Sequence, residues 1–133
     1  MNRRYLFVAA AVVMAGLLAG CGGSGDSPDQ AAAAGEELFK QSTLEGSGGC
    51  IGCHSLEPDT VIVGPSMADF GLEAEEEGEE LGMTAEEFIR QSIVDPNALV
   101  MEGFNEGVMP GNYGEVLTQE QLDNLVAFLL SLE

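Results

Sequence analysis

Two cysteines and a histidine stand close together near the middle of the chain. Cys50 and Cys53 are separated by two residues, and His54 follows directly, in the segment CIGCH. Thiols in this spacing can form thioether bonds to the two vinyl groups on one edge of a haem, and the imidazole next to them then reaches the iron. The spacing predicts attachment of one c-type haem, with His54 as an axial ligand whose ring is oriented by a hydrogen bond from its other nitrogen.

Two other chemistries use closely spaced cysteines. A structural zinc site needs four ligands, and the motif offers two cysteines and the only histidine of the chain. A thioredoxin-like redox pair needs a strand–helix–strand setting, which this sequence lacks. Haem attachment is favoured over both, and over a chance occurrence of the motif.

The ligand on the second face of the iron is not fixed by this motif. His54 is the sole histidine, so a second histidine from the chain is excluded. The position is taken by methionine or another group, or it is vacant. A thioether opposite histidine raises the reduction potential, which suits a carrier in an oxidising electron-transport chain. Four methionines lie beyond the amino-terminal apolar segment: Met67, Met83, Met101 and Met109.

Met109 is the favoured ligand of the four. Pro110 disfavours helix at the residue before it, and Gly107 and Gly111 permit an irregular loop around an iron. Met101 lies in a comparable loop and is the second choice, while the other two methionines are predicted to be packing residues. A vacant position would indicate the alternative function, a five-coordinate gas sensor or a peroxidase-like enzyme.

The amino terminus has the pattern of an export signal. Arg3 and Arg4 precede an apolar run over residues 5–18, which is short for a permanent membrane span. Residues 1–20 are therefore predicted to be a signal peptide. The segment LLAGC, which ends at Cys21, resembles the lipobox of bacterial lipoproteins, in which this cysteine is lipidated and becomes the first mature residue. The alternative is an ordinary cleaved signal or an uncleaved anchor.

The lipobox resemblance implies where the protein works. It is expected to be exported and held by lipid at the periplasmic, outer face of the bacterial cytoplasmic membrane. Two or three acyl chains anchor a protein firmly, whereas one binds only marginally. Residues 21–30 are predicted to be the lipidated cysteine and a flexible linker rich in Gly, Ser, Asp and Pro. Residues 31–133 are predicted to form one domain.

The mature chain is strongly acidic. From Cys21 onward it holds two basic residues, Lys40 and Arg90, against 23 acidic ones, so its formal charge is −21. Nucleic acid is excluded as a partner, because phosphate binding needs a basic patch. Redox partners with a basic docking surface are favoured. The alternative is an acidic surface suited to saline surroundings, which needs no partner.

Helical patterns lie on both sides of the motif, and strands are nearly absent. Helices are predicted over residues 31–41, from Thr84 to Asp95, and from Thr118 to the carboxyl end; the last two begin with capping-box spacing. Residues 72–80 hold six glutamates and are predicted to be a solvated loop or frayed helix, because like charges repel. Residues 61–65 are predicted to be a brief extended or loop stretch, and residues 97–117 are predicted to be a long loop. So few helices bury little apolar surface, and a buried haem would complete the core.

From residue 35 to residue 132 the sequence resembles the class I cytochromes c. The matching pieces, in order, are GEELF, CIGCH, VGP, VMP and LDNLVAFLLSL. The resemblance implies an all-α class I cytochrome c fold, with three to five helices around one covalent haem. It implies that the first and last helices cross through Gly35, Phe39 and Phe128. It also implies that the backbone carbonyl of Pro65 accepts a hydrogen bond from the ligand histidine, and that Met109 is the sixth ligand.

A longer stretch, SIVDPNALVMEGFNEGVMP, is similar to cytochrome c domains of bacterial haem-copper oxidases and to small monohaem lipoprotein subunits of quinol-oxidising complexes. It implies an electron carrier, not an enzyme in its own right, in a membrane respiratory or photosynthetic chain, either free or as a complex subunit.

The lysine ring of many family members is missing, so their docking partners are not assumed. Arg90 is a possible partner of the haem propionates, and Asn112 and Tyr113 are possible partners of a propionate or of the Met109 sulfur.

Overall fold

The structure is a computed structural model that describes residues 27–133. The predicted signal peptide, Cys21 and most of the predicted linker lie outside the described residues. Within residues 27–133, no helix combines the length and apolar character needed to cross a bilayer.

Five helices and one short hairpin are found in the described part of the chain. In order they are α1 Pro28–Phe39, β1 Thr43–Leu44, β2 Ser47–Gly48, α2 Phe70–Leu81, α3 Ala85–Val94, α4 Tyr113–Val116 and α5 Gln119–Leu130. A 3-10 turn over Cys50–Gly52 follows the hairpin. The predicted all-α fold of three to five helices is confirmed.

Helices α1 and α5 cross in close contact, as the resemblance implied. A Cβ placed on Gly35 would lie 1.9 Å from the carbonyl oxygen of Asn124, so only glycine lets the two backbones approach this closely. One turn further on, the rings of Phe39 and Phe128 lie 5.5 Å apart at an interplanar angle of 59°, a tilted arrangement that aromatic pairs favour. This crossing is one wall of the core.

Helix α1 begins three residues earlier than predicted. Ser27 caps the helix and exchanges hydrogen bonds with Gln30 in a capping box, and Pro28 takes the first helical position. Proline is well suited to that position, because its fixed φ is helical and the missing N–H has no intrahelical partner there. Pro28 to Gln30, which the sequence assigned to the linker, are thus the first turn of the helix, and the signal missed was the Ser-x-x-Gln spacing.

Helix α2 corrects the prediction of a solvated loop over residues 72–80. It is a full helix that ends at Leu81 and is capped by Gly82, which has a left-handed φ of 72°. Phe70, Ala74 and Gly78 recur every four residues and are buried, while most of the glutamates lie on the outer face. Phe70 contacts Phe88 of α3, with ring centroids 6.4 Å apart. Burial of this apolar stripe outweighs the repulsion between exposed charges.

The two predicted capping boxes are present in the structure. Thr84 and Glu87 begin α3, and Thr118 and Gln121 begin α5; in each pair the side chains cap one another's backbone N–H groups. Helix α3 ends at Val94, just before Asp95-Pro96, as predicted. The faces of α3 and α5 that turn inward join α1 and α2 in a single core.

The hairpin before the haem motif is short and tightly turned. Thr43 pairs with Gly48 and Leu44 with Ser47. Glu45 and Gly46 connect the strands with φ values of 49° and 85°, the two positive angles that the commonest hairpin turn requires. The side chain of Leu44 is 1% exposed and fixes the hairpin to the core.

Candidate functional site

A cavity of about 400 Å³ opens between the helical core and the loops. Its walls are mainly apolar and come from every part of the fold: Phe39, Leu44, Phe70, Phe88, Ile89, Ile93, Leu125 and Leu129. The haem-motif residues Cys50, Cys53 and His54 line the same cavity, as do Met101 and Met109 from the loop between α3 and α4. The fold therefore brings together groups that lie more than fifty residues apart in the sequence.

The two cysteines are held by the 3-10 turn. The N–H groups of Cys53 and His54 both donate to the carbonyl oxygen of Cys50, at 3.0 and 2.9 Å. Both thiols are free and partly buried. Burial raises the pKa of the Cys50 thiol to about 11, so this thiol is protonated at neutral pH. Neither thiol is in a disulfide, so both are available to add across vinyl groups.

Gly49 fixes the approach to this turn. A Cβ at that residue would lie 1.7 Å from the carbonyl oxygen of Gln41. The chain between the hairpin and Cys50 therefore lies directly against Gln41 and Ser42, which follow the end of α1. Nothing in the sequence alone identified this contact.

The His54 ring is oriented by Pro65. Its Nδ1 donates to the Pro65 carbonyl oxygen at 3.0 Å, and since a carbonyl can only accept, the proton lies on Nδ1 and Nε2 is left to bind a metal. Burial lowers the pKa of His54, although the hydrogen bond to Pro65 opposes this shift. The neutral ring is the form that ligates iron. The hydrogen bond that the resemblance implied is present.

The segment that carries Pro65 is fixed by main-chain bonds. Val63 and Gly64 both donate to the carbonyl oxygen of Cys53, at 3.1 and 2.9 Å, and Met67 donates to Ser55 at 2.8 Å. Residues 61–65 therefore form an irregular segment that is fixed by main-chain hydrogen bonds. An isolated β-bridge also joins His54 to Val61. The sequence analysis did not identify Gly64 as a site residue. Its position directly before Pro65 could have indicated this role.

The four methionines occupy different places. Met67 lines the cavity and is 4% exposed, but its backbone is bonded to Ser55, which puts it on the histidine side. Met83 does not line the cavity and follows the end of α2. Met101 and Met109 line it from the α3–α4 loop, and Met109 packs against the core. The packing role predicted for Met67 agrees with its burial.

Three suggested partners of the haem have other partners in the structure. Arg90 pairs with Glu86 at 3.1 Å and with Asp123 at 2.7 Å, and it does not line the cavity. Asn112 donates to the Ser47 hydroxyl at 2.8 Å, and the Tyr113 hydroxyl donates to the carbonyl oxygen of Gly48. In this arrangement all three side chains bind protein groups, and the suggested contacts to a propionate or to the Met109 sulfur stay predictions.

The lining suits a haem. Two free thiols stand beside a neutral imidazole that keeps one nitrogen available, and the remaining walls would enclose an apolar macrocycle. Within residues 27–133, no three His, Cys, Asp or Glu side chains are grouped as a metal site needs. Iron carried by its own macrocycle needs no such group, since the porphyrin supplies four of its ligands.

Comparison with known proteins agrees with this site. The family model described as Cytochrome c matches residues 32–133. No curated protein matches the chain. The matched residues include the cavity, the attachment turn and the crossing of α1 with α5. The chain therefore belongs to the cytochrome c family and is a haem-binding electron carrier with a covalently bound c-type haem.

Proposed function

We propose that the chain carries single electrons with one haem, attached at Cys50 and Cys53, whose iron is ligated by His54 and Met109. The observation that carries this proposal is the shared cavity, which His54 and Met109 both line. We further propose that lipid on Cys21 tethers the protein to the outer face of the cytoplasmic membrane. There it serves a respiratory or photosynthetic chain, free or as a subunit of a quinol-oxidising or oxidase complex.

The choice of Met109 over Met101 rests on how the loop between α3 and α4 is held. Asn97 Oδ1 accepts a hydrogen bond from the Gly107 N–H at 2.7 Å. This bond closes residues 97–107 into a smaller loop that contains Met101. Met109 lies just beyond the closure and three residues before Asn112, which is bonded to the hairpin. Its backbone is therefore held on both sides, and a ligand held in this way loses little entropy when it binds.

The protein side of electron transfer follows from the cavity walls. When bound, the haem supplies an iron that cycles between the ferrous and ferric states. The apolar walls keep water from this centre, and the packed core limits rearrangement when its charge changes. The hydrogen bond from His54 to Pro65 keeps the imidazole in one orientation and one tautomer. A thioether from Met109 favours the reduced state relative to a stronger donor.

The mouth of the cavity supports docking of a basic partner. Val61 and Val108 line the cavity and are 63% and 51% exposed, and exposed apolar patches mark contact sites. Acidic side chains stand close by in sequence, among them Glu57, Asp59 and Glu106, all of them exposed. The chain's two basic residues beyond its first four positions are both in ion pairs. A partner with a cationic rim around an apolar centre complements this surface.

The ligand proposal is tested by the spectrum of the oxidised protein. The weak near-infrared band from methionine to ferric iron should be present in the wild type. It should vanish in Met109→Ala and remain in Met101→Ala, the matched control from the same loop. A wild-type spectrum without the band would refute methionine ligation and favour the five-coordinate sensor or peroxidase.

The tether is tested separately by intact mass. The mature protein should begin at Cys21 and carry acyl mass and one haem. A water-soluble product that starts elsewhere would refute the lipid anchor. Extraction in mild detergent, followed by sizing, then distinguishes a free carrier from a subunit, because a subunit elutes with its complex.

Docking is tested by the salt dependence of electron transfer. With a lysine-rich redox protein as a surrogate partner, the rate should fall as salt rises, because screening weakens the attraction. Replacing both Glu102 and Glu106 by glutamine should reduce the rate and its salt dependence. Glu102 and Glu106 are each next in sequence to a residue that lines the cavity. The control replaces Glu76 and Glu79 of α2, whose sequence neighbours do not line it. An equal effect of both pairs would indicate overall charge and not docking at the mouth.

A further inference from the structure

Two hydrogen bonds join the haem-attachment segment to the far end of the Met109 loop. Asn112 Nδ2 donates to Ser47 Oγ at 2.8 Å, and the Tyr113 hydroxyl donates to the carbonyl oxygen of Gly48; each bond spans 65 positions of the sequence. We call this pair of bonds the hairpin latch. On one side it ends two residues before Cys50, and on the other it begins three residues after Met109.

The latch is built around a buried phenol. The Tyr113 side chain is 5% exposed and lies against the cavity, and burial raises its pKa, so the hydroxyl is protonated and acts as a donor. A buried phenol needs a partner, and the Gly48 carbonyl supplies it. The short helix α4 that carries Tyr113 packs against α3, where a Cβ on Gly114 would lie 3.2 Å from Val94 Cβ.

The α3–α4 loop has few other fixed points. Residues 95–112 contain no regular secondary structure, and the one hydrogen bond that closes the loop, between Asn97 and Gly107, ends before Met109. Downstream of Met109, the latch is the first connection to a distant part of the fold. The free energy that opens this loop locally therefore depends on the latch as well as on the packing of Leu99 and Met109 against the core.

We propose that Asn112 and Tyr113 are positioning residues, which hold Met109 in place for the iron by fixing the ligand loop to the segment that carries the attachment cysteines. This inference rests on the proposed ligation by Met109. A thioether is a neutral and weak ligand, so the loop must itself disfavour its departure. With the latch broken, the detached form is more populated, and an external ligand enters the vacated position more easily.

The test compares variants that remove single atoms of the latch. Tyr113→Phe removes the phenol oxygen and keeps the ring, and Ser47→Ala removes the other acceptor. The measured quantity is the apparent affinity of the oxidised protein for imidazole, which reports how often Met109 leaves. Loss of one hydrogen bond should raise that affinity about fivefold to tenfold. The near-infrared band should remain in both variants before imidazole is added.

The matched control breaks a third hairpin contact that does not involve the ligand loop. Gln121 Nε2 of α5 donates to Glu45 Oε1 at 2.8 Å. In Glu45→Asn the shorter side chain falls out of reach, and asparagine tolerates the φ of 49° at this position. Imidazole affinity should change less than about twofold, although stability against urea falls slightly, as expected for one lost hydrogen bond.

Each result decides the proposal. An unchanged affinity in Tyr113→Phe and Ser47→Ala overturns the latch, as does an equal increase in Glu45→Asn, which would indicate general loosening. If the oxidised wild-type protein lacks the near-infrared band, both Met109 ligation and the latch are refuted. This spectrum is recorded before any variant is made. A failure of the latch alone therefore remains distinguishable from a failure of the proposed function.

Discussion

The imidazole of His54 occupies the space in which a side chain at Gly64 would begin. An ideal Cβ on Gly64 would lie 2.5 Å from His54 Cε1 and 2.9 Å from Nδ1, well inside van der Waals contact. The next residue, Pro65, accepts the hydrogen bond from Nδ1. One short segment therefore both packs against the ring and binds its nitrogen, which leaves the ring a single orientation.

Gly64→Ala should disturb the position and orientation of the His54 ring. The new methyl group must displace either the ring or the segment that carries Pro65, and overpacking of this kind costs about 1–3 kcal/mol. We expect less haem per purified chain and a lower Tm. The control is Gly52→Ala, because a Cβ at that residue meets no atom within 4 Å. Equal haem content and Tm in the two variants would contradict the close contact.

Gly35→Ala should destabilise the protein although it favours the helix. Alanine in place of glycine within a helix stabilises by about 1 kcal/mol through propensity alone. Here the added Cβ would meet the Asn124 carbonyl oxygen and Phe128 Cβ at 1.9 and 2.7 Å, so α1 and α5 must separate. We expect the free energy of unfolding, measured in urea, to fall. A rise in stability would show that the helices do not cross at this residue.

Glu73→Gln should stabilise the protein at neutral pH. One Glu73 carboxylate oxygen is buried without a hydrogen-bond partner, and burial, with Asp69 and Glu77 nearby, raises the pKa of this carboxyl group. A raised pKa in the folded state means that ionised Glu73 opposes folding above that pKa. The penalty declines as the pH falls and vanishes below the ordinary glutamate pKa of about 4.3.

The comparison for this variant is Glu76→Gln, which removes the same charge from the exposed face of α2. Thermal unfolding at pH 7 and at pH 4 should show the larger gain for Glu73→Gln at pH 7 and little difference between the variants at pH 4. A gain that is the same for both glutamates at each pH would indicate general charge repulsion and not burial.

Arg90→Met should leave the haem site unchanged. Arg90 lies in ion pairs with Glu86 and Asp123 across α3 and α5 and does not line the cavity. Partly exposed pairs contribute little, so we expect a loss of at most about 1 kcal/mol in the free energy of unfolding. Haem content and reduction potential should match the wild type. A reduction potential that differs from the wild-type value, at full haem content, would indicate that Arg90 lies near the haem propionates.

Local signals in the sequence predicted much of the fold. The capping boxes at Thr84 and Thr118 fixed where α3 and α5 begin, because they act through residues three positions apart. The prediction of a loop over residues 72–80 was wrong because the helix there depends on contacts that are distant in sequence. Whether Phe70 and Ala74 find a partner depends on α3 and α5, which are distant in sequence, so charge alone suggested a loop where a packed helix exists.

The sequence by itself determined the attachment motif, the sole histidine and the scarcity of basic residues, since these depend only on residue type and spacing. Only the tertiary structure decided which groups share the cavity, that Gly64 crowds the His54 ring, and that Asn112 and Tyr113 bind the hairpin. The physical reason is that hydrogen bonds and van der Waals contacts act over a few ångströms. Residues 65 positions apart come within that range only when the helices have packed.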